Sequence, residues 1–185
     1  MKAFKFAAPL LLAVAFITPI QAAGTKAPAG EVVKLGKISP NGPFRLWTII
    51  NKVLPAYAAA KGGASLRAQV ENMAPLAVSG KKPGHVLAQS VQFRDALDAT
   101  ARTMKLAKVR IYKDPLGRTV TPGVVFVNAG YSLDTLVEVY FTVLNKSDAQ
   151  VGDLYDVPVA AGKSPSDVFA LVELATRRLR LIQGS

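Results

Sequence analysis

Four prolines constrain this chain more than any other feature. Pro40, Pro83, Pro122 and Pro165 recur 43, 39 and 43 residues apart, and the residues behind them match. Three positions on stand Pro43, Val86, Val125 and Val168, four positions on Phe44, Leu87, Phe126 and Phe169, and fourteen positions on a leucine each time, Leu54, Leu97, Leu136 and Leu179. Similarity at a fixed period marks one supersecondary unit used repeatedly. The reading is four divergent loop–helix repeats of about 40 residues. Proline suits the first helical turn, where its missing N–H leaves no bond unmade. Ser39, Thr121 and Ser164 precede three of the prolines and are able to accept from first-turn amides, while Lys82 precedes the fourth.

The apolar positions then step by three and four. The series are Trp47, Ile50, Leu54, Tyr57; Val86, Ser90, Phe93, Leu97, Thr100, Met104; Val125, Ala129, Ser132, Leu136, Val139, Val143; and Val168, Val172, Ala175, Leu179, Ile182. This alternation gives one seam per helix and predicts an all-α four-helix bundle. Loops marked by Pro75 to Gly80, Pro115 to Gly117 and Pro158 to Gly162 separate the helices. They exceed the roughly 2–8 residues usual in a bundle, so they are expected to pack along it. Pro55 is expected to end or kink the first helix near Leu54. Residues 108–127 also read as a small β-hairpin around Asp114-Pro115-Leu116-Gly117, in which case the third helix starts at Ser132 with Asp134 in its first turn.

Residues 1–22 have the order of a cleavable signal peptide: Lys2 and Lys5, an apolar run from Ala7 to Ile17, then Gln21-Ala22-Ala23. The run is shorter than the roughly 20 residues that span a bilayer, so no transmembrane anchor is expected after cleavage. Residues 23–38 form an N-terminal extended segment, and 39–185 a single helical domain. A periplasmic or secreted location follows. The chain has no cysteine, which excludes disulfides, thiolate metal sites, a Cys nucleophile and a lipid-modified Cys.

Charge is uneven. From Lys26 to Lys113 there are 15 basic and 4 acidic residues; from Asp114 to Ser185 there are 6 basic and 8 acidic. A basic half points to an anionic partner. The candidate binding residues are Arg102, Lys105, Lys108, Arg110, Lys113 and Arg118, with Tyr112 among them. The expected partner is an anionic envelope component or a protein; nucleic acid is not. No catalytic set is visible: there is no Gly-x-Ser-x-Gly or His-Glu-x-x-His, and the single histidine, His85, sits in a first turn as a capping or exposed residue. No metal and no cofactor is expected; the absence of Cys-x-x-Cys-His excludes covalent haem, and a b-type haem through His85 with Met73 or Met104 is not expected, His85 lying at a helix N-terminus. Asp95 and Asp98 lie among Arg94 and Arg102 and read as a surface salt ladder. The expected function is a non-enzymatic ligand- or partner-binding module with affinity for anionic groups. The alternative is a small helical secreted enzyme on an anionic substrate, with Glu71, Glu138 or Glu173 as acid or base.

Overall fold

The computed structural model describes residues 38–113, 117, 119–145 and 152–185. Residues 1–37, with the expected signal peptide and nearly all of the expected extended segment, lie outside the described residues, as does Arg118. All regular structure among the described residues is helical: α1 (Asn41–Glu71), α2 (Pro83–Thr103), α3 (Pro122–Leu144), the single turn α4 (Gly152–Tyr155) and α5 (Pro165–Gln183). They pack around one apolar core. No helix among the described residues is long and apolar enough to cross a membrane.

Three of the long helices start at their proline for a steric reason, while α1 starts one residue past Pro40. The proline ring pushes the preceding residue out of the helical region, and Lys82, Thr121 and Ser164 are extended, with φ −110°, −107° and −103° and ψ 162°, 164° and 165°. Two residues upstream of the first and last of these, Gly80 and Gly162 take φ +66° and +67°, where a side chain is disfavoured. The caps differ. Ser164 Oγ accepts from Asp167 N–H at 3.3 Å and the Asp167 carboxylate accepts from Ser164 N–H at 2.7 Å, closing both ends of a capping box. These bonds from Ser164, first the backbone N–H and then the hydroxyl, with Lys163 nearby, hold the Asp167 carboxyl below its ordinary pKa. His85 Nδ1 accepts the Lys82 N–H at 3.2 Å, so the only histidine is a cap. Thr121 makes no side-chain cap bond.

The stepping positions point inward. Trp47, Ile50, Leu54, Val86, Phe93, Leu97, Ala129, Leu136, Val139, Val168, Val172, Ala175, Leu179 and Ile182 are all buried. Trp47 meets Phe93 edge-on, with ring centroids 5.2 Å apart. α1 and α2 each pack against both α3 and α5. Pro40, Pro83, Pro122 and Pro165 line a single small apolar hollow with Pro43, Val86, Val125 and Val168, so four helix starts meet at one end. At the other end Gln183 Nε2 donates to Ala96 O and Thr100 Oγ1, and Lys61 Nζ to Ile182 O. The long helices therefore run in the same direction. Lys52 Nζ holds α4 against α1 through the carbonyls of Asp153 and Asp156.

Two sequence expectations are corrected. α1 does not stop near Leu54 but continues through buried Pro55. Proline cannot donate to the carbonyl four residues back, Asn51 O. Arg178 Nη1 donates to that carbonyl instead, at 2.9 Å, and its Nη2 to Met73 O at 3.0 Å. The break in α1 comes at Gly63, φ +73° and ψ −167°, a region essentially reserved for glycine. Because one guanidinium binds both Asn51 and Met73, the chain reverses at Gly63 and its second arm returns beside the first.

The second concerns the hairpin alternative at 108–127, where the full-length third helix is the reading that holds. No strand occurs there among the described residues; α3 runs in full from Pro122, and Ser132 lies buried within it. The strand-like segment finds its partners in side chains rather than in a second strand. Asp98 Oδ1 accepts Val109 N–H at 2.9 Å, while Asn128 pairs with Tyr112 in both senses, Oδ1 from N–H at 3.0 Å and Nδ2 to O at 3.1 Å.

Candidate functional site

A cleft of about 420 Å³ opens between α2 and α3, beneath the linker that joins them. Its origin lies in side-chain size. Counted from the prolines, Ser90 is the counterpart of Trp47, and Ser132 that of Ile50. Where Trp47 and Ile50 fill space, the two serines leave it. Both are almost fully buried at the cleft floor, 4 % and 3 % exposed, and Ser90 Oγ donates to Leu87 O at 2.8 Å.

The walls are apolar: Leu87 and Val91 from α2, Val124 from α3, Ile111 and Val120 from the linker. Ile111 keeps 42 % of its surface exposed, unusual for a large apolar side chain beside a cavity of this size. Two cations border it, Arg94 and Lys113. The Arg94 side chain is only 19 % exposed, and its Nε and Nη2 contact Asp95 Oδ1 at 3.1 and 2.6 Å. Asn128 lines the cleft but is committed to the Tyr112 backbone and to Val124 O, so it fixes the linker in place.

The expected basic cluster is distributed along this linker. Arg102, Lys105, Lys108, Arg110 and Lys113 are exposed, and only Lys113 among them lines the cleft. Arg102 ends α2, with its Nε 3.9 Å from Asp98 Oδ2. Lys105 turns the chain out of α2 at φ +59°. The Arg110 guanidinium lies 4.4 Å from the Tyr131 ring centroid and 3.5 Å from Asp134. Arg118 lies outside the described residues. Sequence reasoning missed Arg94 as a cleft residue because its four-residue spacing to Asp98 and Arg102 resembled a surface ladder. Only one rung of that ladder forms, Asp98 with Arg102: Arg94 pairs with its neighbour Asp95, and Asp98 is a 7 % exposed carboxylate that also serves the linker backbone.

The glutamates considered for acid–base work are not brought together. Glu71 pairs with Arg67 at 2.8 Å, Glu173 with Arg177 at 2.6 Å, and Glu138 is exposed on α3. Arg178 is the only arginine buried among the described residues, at 9 % exposure, and its bonds go to Asn51 and Met73. Burial first, and then Arg177, lower its pKa, while Glu71 offsets part of that. Among the described residues no three His, Asp or Glu side chains are grouped to hold a metal. No protein family, no curated protein and no solved structure matches the chain.

Proposed function

We propose that this chain is an exported, non-enzymatic binding module, a four-helix bundle of four divergent loop–helix repeats that holds ligands or partners through anionic groups. The export half of the reading rests on the signal-like order of residues 1–22.

The repeat is supported by equivalent contacts. Lys81, two before Pro83, donates its N–H to Ser166 Oγ, and its Nζ lies 4.5 Å over the Phe169 ring. Lys163, two before Pro165, donates its N–H to Asn41 Oδ1, with its Nζ 4.5 Å over Phe44. In both cases the acceptor follows a proline by one position and the aromatic by four. The other two junctions use apolar side chains at the same places: Ile38 and Phe126 close on Gly42, and Val120 and Leu87 line the cleft. The four leucines fourteen positions on are all fully buried.

The observation that carries the binding reading is the row of exposed cations from Arg102 to Lys113, whose last member lines the cleft between α2 and α3. The enzyme alternative is disfavoured because the buried arginine binds backbone carbonyls and the glutamates stand apart.

Binding to heparin as a polyanion probe tests the reading. Affinity is expected to be measurable at low salt and to fall steeply as salt rises, because such attraction is screened and driven by counterion release. Replacing Lys105, Lys108 and Arg110 by Ala is expected to weaken it more than replacing the exposed Arg67 and Arg180 by Ala. Equal losses, or no association at low salt, overturn the proposal.

A further inference from the structure

The cleft between α2 and α3 has chemistry of its own. Its volume, about 420 Å³, falls in the range of small-molecule sites. Its walls are aliphatic, its two cations stand at the border, and its floor carries two buried hydroxyls. A purely structural seam between helices closes with larger side chains, as Trp47 and Ile50 close theirs at the same depth. Here the seam stays open, and the linker is pinned across it by Asn128 and Asp98 rather than collapsed into it.

We propose that this cleft binds a small apolar anion, an aromatic or short-chain aliphatic carboxylate or sulfonate, with its charged group at Arg94 and Lys113 and its body between Leu87, Val91, Ile111 and Val124. This deepens the binding reading above and rests on it. The apolar walls exclude a fully hydrophilic anion, since they leave its polar groups unpaired. The two cations select against a neutral compound of the same shape. Asp95 offsets part of the Arg94 charge, and Lys113 supplies the second cation the site needs. The hydroxyls of Ser90 and Ser132 set the depth to which the ligand reaches.

The test uses two fluorescent probes of similar size, anionic 8-anilinonaphthalene-1-sulfonate and neutral N-phenyl-1-naphthylamine, with octanoate as competitor. The wild-type protein is expected to bind the anion saturably with one site and to release it to octanoate. Ser132→Leu fills the floor and is expected to abolish binding of both probes while leaving helicity and heparin affinity unchanged. Lys113→Gln, on an exposed side chain, and Arg94→Gln are expected to weaken the anion, by roughly tenfold for Arg94, with the neutral probe unaffected. Wild-type probe binding by a folded Ser132→Leu protein overturns the site. Equal affinity of the wild-type protein for the two probes overturns the anion reading on which the proposal rests.

Discussion

The α1–α5 side of this molecule is closed, and the α2–α3 side is open, although both are framed by the same proline-started helices. On the closed side polar groups tie helix to helix: Asn51 Nδ2 bonds Trp47 O and Leu171 O, and Arg178 bonds Asn51 from α5, beside the fully buried Trp47 and Ile50 of the common core. On the open side Ser90 and Ser132 stand at the matching positions, and the polar groups Asp98 and Asn128 tie helices to a linker. Small buried side chains at the floor and a linker held off by side-chain hydrogen bonds therefore accompany the open seam.

Truncation on the closed side gives the largest expected effect. Trp47→Ala is expected to destabilise by about 3–5 kcal/mol in chemical denaturation, the usual loss for a buried large aromatic. A loss under about 1 kcal/mol would break the contrast between the seams.

Arg178→Leu comes next. It leaves Asn51 O and Met73 O without their donor, at about 1–3 kcal/mol for each buried acceptor left unpaired. Part of that loss arises only because Pro55 has no N–H. In the Pro55→Ala background the helix bond to Asn51 O is restored, so Arg178→Leu is expected to cost less there. A double-mutant cycle measures the difference; simple additivity would show that Arg178 does not stand in for the missing helix bond.

Smaller again is the cap of α5. Asp167 has a lowered pKa, so its contribution is present above the ordinary carboxylate pKa and is lost as pH falls through the lower folded value. Asp167→Asn is expected to flatten the stability profile below about pH 4, with little change in slope near neutrality. An unchanged acid limb in the variant contradicts the capping role. The smallest effect is expected on the open side. Ser132→Leu enters existing space and is expected to alter stability by less than about 1 kcal/mol, where overpacking a filled core typically costs about 1–3 kcal/mol. A large loss would mean that the α2–α3 seam is as tightly packed as its counterpart.

The helix starts and the buried leucines were legible in the sequence because both are local: proline dictates the conformation before it, and the three-four stepping dictates the inward face. The path of α1 through Pro55 was not, since the Arg178 group that bonds the freed Asn51 carbonyl lies 127 residues beyond Asn51 in sequence. The segment 108–113 looked like a strand because its composition is strand-like, while its actual hydrogen-bond partners, Asp98 and Asn128, are side chains on helices. Of the cations singled out from their clustering, Lys113 lines the cleft; Arg94 could be found only once the missing volume at Ser90 and Ser132 was seen in three dimensions.

The contrast to test is a ligand site in the open seam and none in the closed one. Titration of the uniformly ¹⁵N-labelled protein with 8-anilinonaphthalene-1-sulfonate, followed by two-dimensional amide NMR, tests it most directly. Saturable shifts are expected to centre on Leu87, Val91, Tyr112, Val124 and Ser132, with Asn51, Leu171 and Arg178 unmoved. Shifts spread evenly over both seams, or centred on the Asn51–Arg178 side, would contradict it.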